Sequence, residues 1–533
     1  LADRYYPRKG GKRPVLLVRS PYGRRGFFGL FFGRILAERG FQVLIQSCRG
    51  TFGSGGMFDP FRQEQADGLA TVEWMKKQDW FPGRFGTVGP SYLGYVQWAI
   101  GRDAGPELKA MAILVSCSDM GLHQCKGGSF TLEDALTWTY QIHSQEKKLS
   151  FLRLIALSLG RTPRRVKRAL QHLPLRDLDT LTCGRRVEFW QNWLNHSSPD
   201  DEWWKPADHS RAIRDVKAPV LLIGGWYDIF LPWQLRDYRL LREAGCEPHL
   251  LIGPWKHTQG SFSPIAMREA IAWLRFHLLG DQNCKPQSRV KLFVMGADEW
   301  RDYEDWPPKG YLPMRWHLQP NGRLAPEPPP ESEPDHYRYD PADPTPAVGG
   351  PRLVDAGPRD NRVLEARSDV LLYTSAPLER DFEVVGEVQA ELYAKSSLEC
   401  TDFFVRLCDV YPDGKSMNIC DGLISIRPNE PPMEQDGLIH ITLNLWPTAY
   451  VFRRGHRIRV QVSSGAHPRY VRNTGSCEPL YTATELFIAE NEIYHDPRHP
   501  SAVLLPTAEK HNKNRRAHKL EFVSLFTYMP GVS

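Results

Sequence analysis

The sequence predicts an α/β chain in three parts: a parallel sheet covered by helices, an all-helical insertion within it, and an all-β domain after it. Three observations carry this. Apolar runs bounded by Gly and Pro alternate with helix-like stretches over residues 1–116, and the alternation resumes over 211–286. That rhythm belongs to parallel sheets with helices on both faces. Residues 117–210 hold little strand-like text, and residues 287–533 hold mostly short strand-like runs between Gly, Pro, Asn and Asp turns. At 533 residues the chain is too long for one core.

Each element can be justified in order. Pro14–Arg19 (PVLLVR) reads as a buried strand, Gly29–Arg39 as a helix and Phe41–Gln46 (FQVLIQ) as a second strand. The Gly-rich loop Arg49–Gly56 lacks the lysine and the glycine spacing of a phosphate loop. Gln63–Gln78 places Ala66, Leu69, Val72 and Met75 on one helical face. Arg84–Val88 is a short strand, Gly89-Pro90 a tight turn, and Tyr92–Ile100 a helix, with Ser91 at the corner. Leu108–Val115 is the next strand. The insertion reads as helices at Leu132–Lys148, Leu149–Leu159, Pro163–Leu173 and Arg185–Asn195, a cap rich in Trp and Phe. Strands Pro219–Gly225 (PVLLIGG) and Pro248–Gly253 (PHLLIG) follow, with helices Gln234–Ala244 and Ile265–Leu279. From Val290 the text turns to β, beginning with Lys291–Met295. Pro326–Pro346 reads as a Pro-rich loop, and the many short strands with long connections suggest a jelly-roll sandwich.

Composition excludes several classes. No apolar run reaches the ~18 residues of a membrane span, so no membrane partner is expected. A net charge of +6 is small for this length, and the basic clusters lack any nucleic-acid motif. The ten cysteines show neither C-x-x-C nor zinc spacing, so no metal and no other cofactor is expected. They read as buried thiols of a reducing, cytoplasmic protein. The opening on Leu1 instead of Met keeps a removed signal peptide open. A monomer or homodimer acting on a small molecule is expected.

A serine at a strand-to-helix corner is the nucleophile elbow of the α/β-hydrolase fold. The turn pushes the hydroxyl over the sheet edge, and the next backbone N–H sits at a helix N-terminus. The general pattern is G-x-S-x-G; here Leu93 holds the second glycine's place and Gly94 follows. A serine ester or amide hydrolase also needs a base and an acid, in the chain order Ser, Asp, His. Ser91 follows one strand, Asp228 follows PVLLIGG and His257 follows PHLLIG. The Tyr92 N–H is the expected first oxyanion donor. The second should come from the loop after the first strand, Ser20-Pro21-Tyr22-Gly23, where the Tyr22 hydroxyl is available.

Together, Arg19-Ser20-Pro21-Tyr22, Gln46-Ser47-Cys48-Arg49-Gly50, Gly89-Pro90-Ser91-Tyr92-Leu93-Gly94, Gly224-Gly225-Trp226-Tyr227-Asp228 and Gly253-Pro254-Trp255-Lys256-His257 resemble the cocaine esterase / X-prolyl dipeptidyl peptidase family. So does Arg454-Gly455-His456-Arg457-Ile458-Arg459-Val460. The resemblance spans nearly the whole chain. It implies an α/β-hydrolase domain, a helical cap and a C-terminal jelly roll. It implies the triad Ser91, Asp228 and His257, and Tyr22 as the oxyanion tyrosine. It matches Phe230 to an aromatic of the acyl pocket, and it places the second glycine of the elbow one residue later, at Gly94.

There are departures. Family members usually carry Asp-Thr-Arg-Gly where this chain has Ser47-Cys48-Arg49-Gly50. The α-amino acid ester hydrolase branch holds a substrate ammonium with carboxylates, whereas Ile229, Phe230 and Leu231 follow Asp228 here. An apolar wall cannot pair a buried ammonium, although Glu133 or Glu188 of the cap would be placed to supply a carboxylate. The expectation is therefore a serine hydrolase of small to medium carboxylic esters, with a pocket walled by Phe230, Trp226 and Trp138. The alternative is cleavage of X-Pro or acyl-amide bonds by the same triad.

Overall fold

The computed structural model describes residues 1–8, 11–147, 162–428, 430 and 437–508. The helix expected at Leu149–Leu159 lies outside them. Strands β1 (Ala2–Tyr5), β2 (Val15–Ser20), β3 (Gln42–Ser47), β4 (Phe85–Pro90) and β5 (Leu108–Leu114) precede the insertion. The hairpin β6 (Cys125–Lys126) and β7 (Ser129–Phe130) opens it, and β8 (Val220–Tyr227), β9 (His249–Lys256), β10 (Val290–Val294) and β11 (Glu299–Tyr303) follow it. All but β6 and β7 form one nine-stranded sheet in the order β1-β3-β2-β4-β5-β8-β9-β10-β11. Only the edge strands β1 and β11 run antiparallel to their neighbours. The central strands are buried from end to end, which is why they read as continuous apolar runs.

Two expectations about this region change. The boundary expected at residue 286 falls too early, because β10 pairs parallel with β9 (Val290 opposite Leu250) and extends the hydrolase sheet. The helix expected at Gly29–Arg39 begins at Gly26 and widens into a π-helical turn over Gly29–Arg34. There Gly29 and Gly33 press against Tyr5: an added Cβ would lie 2.4 Å and 2.7 Å from its ring and hydroxyl atoms.

The C-terminal region is antiparallel β, with the jelly-roll architecture expected from its turn spacing. Thr401–Val410 pairs with Ser416–Ile426 and Arg457–Ser463, and Tyr311–Gln319 pairs with Ala502–Ala508. The Pro-rich stretch contains an edge strand, Asp335–Tyr339, after the last of the crowded prolines. Its Pro-free sequence can donate to Ala489–Tyr494 where the preceding residues cannot. Cys400 and Cys477 form a disulfide within this domain. That corrects the expectation of thiols throughout: the two residues are separated by 77 positions, and no local spacing announced the pair. No helix among the described residues is long and apolar enough to cross a membrane.

Candidate active site

The elbow is built as a strained corner. Ser91 has φ 58° and ψ −125°, a conformation that non-glycine residues rarely adopt, between β4 and the helix Tyr92–Gly101. Its N–H donates to the Leu114 carbonyl of β5 at 2.9 Å. An added Cβ at Gly89 would lie 2.4 Å from the Leu93 Cβ, and one at Gly94 would lie 2.6 Å from the Ser116 Cβ. Close packing of the first helical turn on the sheet therefore demands glycine at 94, one place later than in the general pattern.

Three strand ends converge there. His257 heads the short helix His257–Phe262 directly after β9, and Asp228 follows β8. The Asp228 Oδ1 lies 2.6 Å from His257 Nδ1, and His257 Nε2 lies 3.0 Å from Ser91 Oγ. A carboxylate only accepts, so Nδ1 carries the hydrogen and Nε2 faces the hydroxyl with its lone pair. Asp228 is completely buried. Its Oδ2 accepts the Phe230 N–H at 3.1 Å, and its main-chain carbonyl accepts the Trp446 Nε1–H of the C-terminal domain at 3.1 Å. That domain thus braces the acid as well as covering the sheet.

The two expected donors, at Tyr92 and Tyr22, belong to residues that line the cavity with Ser91. The Tyr92 N–H is the first of its helix, and a first-turn N–H has no intrahelical acceptor. Tyr22 lines the same cavity as Ser91, and its hydroxyl accepts the Trp138 Nε1–H at 2.9 Å. Burial pushes the Tyr22 phenol up to about 12, so it keeps its proton at neutral pH. The Tyr92 side chain has a separate task. Its hydroxyl donates to Glu64 Oε1 at 2.7 Å, and Glu64 is ion-paired with Arg19 at 2.8 Å, both buried. The Cys48 thiol faces the same carboxylate at 3.8 Å. Burial foremost, and then the Glu64 charge, push that thiol well up and leave it inert. The departure at Ser47-Cys48 thus alters this buried network and leaves the triad untouched.

A cavity of about 520 Å³ opens over Ser91 and His257. Phe230 and Trp138 line it, as do Phe61, Trp193, Met120 and Leu93. Trp226 does not line it, contrary to expectation. It is still inside β8, where it packs on Trp306 with ring centroids 5.9 Å apart and donates its N–H to the Phe293 carbonyl of β10 at 2.6 Å. Neither candidate cap carboxylate lines the cavity either. Glu133 is spent on Arg352, with both oxygens at 2.7 Å, and Glu188 is exposed on its helix. Asp134 does reach the wall, but Lys126 lies 3.8 Å from it, and both are buried.

Sequence reasoning missed several wall residues, Phe61 and His123 among them. Phe61 stacks against Tyr92, Trp138 and Trp193 with centroids 4.9, 5.8 and 6.1 Å away. It follows a Pro in a turn, and nothing local shows that its ring reaches the site. His123 packs 4.2 Å from the Phe230 ring. Burial, aided by the charges of Lys126 and His257, holds its pKa well below the usual histidine range, so it stays neutral beside the triad.

A Ser–His–Asp array at the C-terminal edge of a mostly parallel sheet, under a helical cap, defines a serine hydrolase of the α/β-hydrolase class. The comparisons narrow that class. The X-Pro dipeptidyl-peptidase (S15) family profile matches residues 1–259, and the profile of its C-terminal non-catalytic domain matches residues 282–504. Cocaine esterase of Rhodococcus sp. (strain MB1 Bresler) is 32% identical over 95% of this chain and 96% of its own length. The chain belongs to the cocaine esterase / X-Pro dipeptidyl-peptidase family of serine hydrolases. Among solved structures, an aminopeptidase from a marine sediment Thaumarchaeota archaeon superposes with a TM-score of 0.81 at 22% identity, covering 95% of this chain and 94% of that one. An α-amino acid ester hydrolase also gives 0.81, at 20% identity with the same coverages. At those identities the two show the fold.

Proposed function

We propose that the protein hydrolyses carboxylic esters of small to medium, including aromatic, acyl groups through an acyl-enzyme on Ser91. His257 takes the Ser91 proton as Oγ attacks the acyl carbon, and the oxyanion settles between the Tyr22 hydroxyl and the Tyr92 N–H. The imidazolium, steadied by Asp228, then returns the proton to the leaving alkoxide. Water enters, His257 deprotonates it, and attack on the acyl carbon releases the acid and regenerates Ser91.

The observation that carries the ester reading is the wall. Phe230, Trp138, Phe61 and Trp193 face the nucleophile, and the only carboxylate among the described lining residues, Asp134, already has a buried cation beside it. A peptide N-terminus entering here would meet one carboxylate, Asp134, whose charge is already shared with Lys126 3.8 Å away, and an unpaired buried ammonium is costly. The second reading, X-Pro or acyl-amide cleavage, is favoured by the family profile over residues 1–259. A panel of p-nitrophenyl acetate, p-nitrophenyl benzoate, and Gly-Pro and Ala-Pro p-nitroanilides decides between them. We expect the esters to be preferred and Ser91→Ala to abolish turnover with an unchanged melting temperature. Faster anilide turnover, despite the poorer leaving group, would reject the ester reading.

A further inference from the structure

An apolar strip leads out of the cavity onto the surface. Phe27, Phe28 and Phe262 line the mouth. Phe27 and Phe262 meet edge to face with centroids 5.2 Å apart, and Phe31 stacks on Phe27 at 5.5 Å and meets Phe262 at 5.4 Å. Leu30 lies one turn from Phe27 on the same helical segment. Phe27, Leu30 and Phe262 are 39%, 53% and 36% exposed. Large apolar side chains are ordinarily scattered singly on a surface, whereas a contiguous group joined to a pocket marks a contact site. The cation at this rim, Arg25, is committed to Asp3 at 2.7 Å, so the strip does not call for an anionic ligand.

The mechanism says which half of the substrate meets the strip. The leaving alkoxide takes its proton from His257 Nε2, so the alcohol portion must lie beside the imidazole. His257 begins the helix that ends at Phe262, and Thr258 and Ser261 between them also line the cavity. We infer that the strip of Phe27, Phe31 and Phe262 seats the alcohol portion of the substrate, and that the preferred substrates are esters of long or bulky hydrophobic alcohols. This rests on the acyl-enzyme reading above and specifies its leaving-group side.

The test is kcat/KM of the full chain for methyl, butyl, hexyl and octyl benzoate, a series in which only the alcohol changes. A methylene half-covered by the strip gains about twofold, so octyl benzoate should exceed methyl benzoate by at least about tenfold. In a Phe27→Ser/Phe262→Ser double variant the octyl-to-methyl ratio should collapse towards one. Leu30→Ser, farther from the chemistry, should lower it by a smaller factor. The ratio does not depend on how much of a variant is folded. A flat wild-type series with methyl benzoate still turned over would overturn the strip and leave the Ser91 reading standing; no turnover of any ester would remove both. Light scattering covers the remaining occupant. A wild-type dimer that the double variant dissolves, with the ratio unchanged, would assign the strip to self-association instead.

Discussion

Replacing Tyr22 by Phe isolates one hydrogen bond. The ring stacks on Phe28 with centroids 5.7 Å apart, and phenylalanine keeps that contact. What goes is the hydroxyl that accepts from Trp138 Nε1 at 2.9 Å in the cavity that Ser91 also lines. With the indole occupying the oxygen as an acceptor, the phenolic proton is free to follow charge as it grows on the substrate oxygen. Loss of one such donor costs ~10²–10³-fold in kcat, or roughly 2.7–4 kcal/mol of transition-state stabilisation. KM should hardly move, because the bond tightens only as charge develops. Trp138→Phe removes the group that orients the phenol and should cost about five- to tenfold, the net value of one hydrogen bond. Added to Tyr22→Phe it should cost little more, since the indole acts through the hydroxyl.

The assay is saturation kinetics on p-nitrophenyl benzoate at pH 7, 8 and 9, with a thermal melt of each variant. The factor lost should be the same at each pH, because burial keeps the phenol protonated until about 12. A kcat within about threefold of wild type, at an unchanged melting temperature, would assign the oxyanion donor elsewhere. So would a loss expressed in KM alone.

Three further outcomes follow from the buried charges and the cross-link. Arg19→Met leaves the Glu64 carboxylate buried without its cation and should destabilise by ~3–5 kcal/mol in urea unfolding; a loss below about 1 kcal/mol would refute the pairing as a support. Cys400→Ser opens a link between residues 77 apart and should cost about 2–4 kcal/mol; a reductant should reproduce that loss in wild type and add nothing in the variant. His209 is buried with its Nε2 3.0 Å from the Tyr95 hydroxyl, and burial holds its pKa at about 4 against the ordinary 6.5. The unfolded chain therefore binds the extra proton between those values, so this contribution is whole above about pH 6.5 and is lost as pH falls towards 4. Its size is on the order of 3 kcal/mol, and His209→Gln should flatten the stability–pH slope in that window; an identical slope would refute the assignment.

How much of this was legible follows from the range of each interaction. The elbow could be read because its demands are local: a strand, a tight turn, a helix, and glycines where the backbone has no room. The Asp and the His could be placed because each follows an apolar run that a buried parallel strand requires. Trp226 and Phe230 lie equally close to Asp228 in sequence, yet only Phe230 lines the cavity. What separates them is where β8 stops: it runs through Tyr227, so Trp226 is still a sheet residue. Strand ends are the least certain feature of a sequence reading. The strand β10 was recognised as a strand but given to the wrong sheet, because pairing partners are a tertiary property. The Arg19–Glu64 pair and the Cys400–Cys477 link join residues far apart in the chain, and no periodicity carries them.

The tyrosine that follows the nucleophile connects these levels. Ser91 at φ 58° and Phe61 at φ 73° are both non-glycine residues in left-handed backbone, and both border the cavity. Such conformations persist only where the surroundings over-determine them. Here the same helix does so for both. The Tyr92 hydroxyl accepts the Phe61 N–H at 3.0 Å while donating to Glu64, and the Tyr95 hydroxyl donates to the Phe61 carbonyl at 2.9 Å. Phe61 is thus pinned by its own N–H and C=O to the first turn of the nucleophile helix, and that turn is anchored to the Arg19–Glu64 pair under the sheet edge. A shift in this network would move the Tyr92 N–H, the Ser91 corner and the Phe61 wall together. Nucleophile position and cavity shape are therefore one structural variable in this protein, set by Tyr92 and Tyr95.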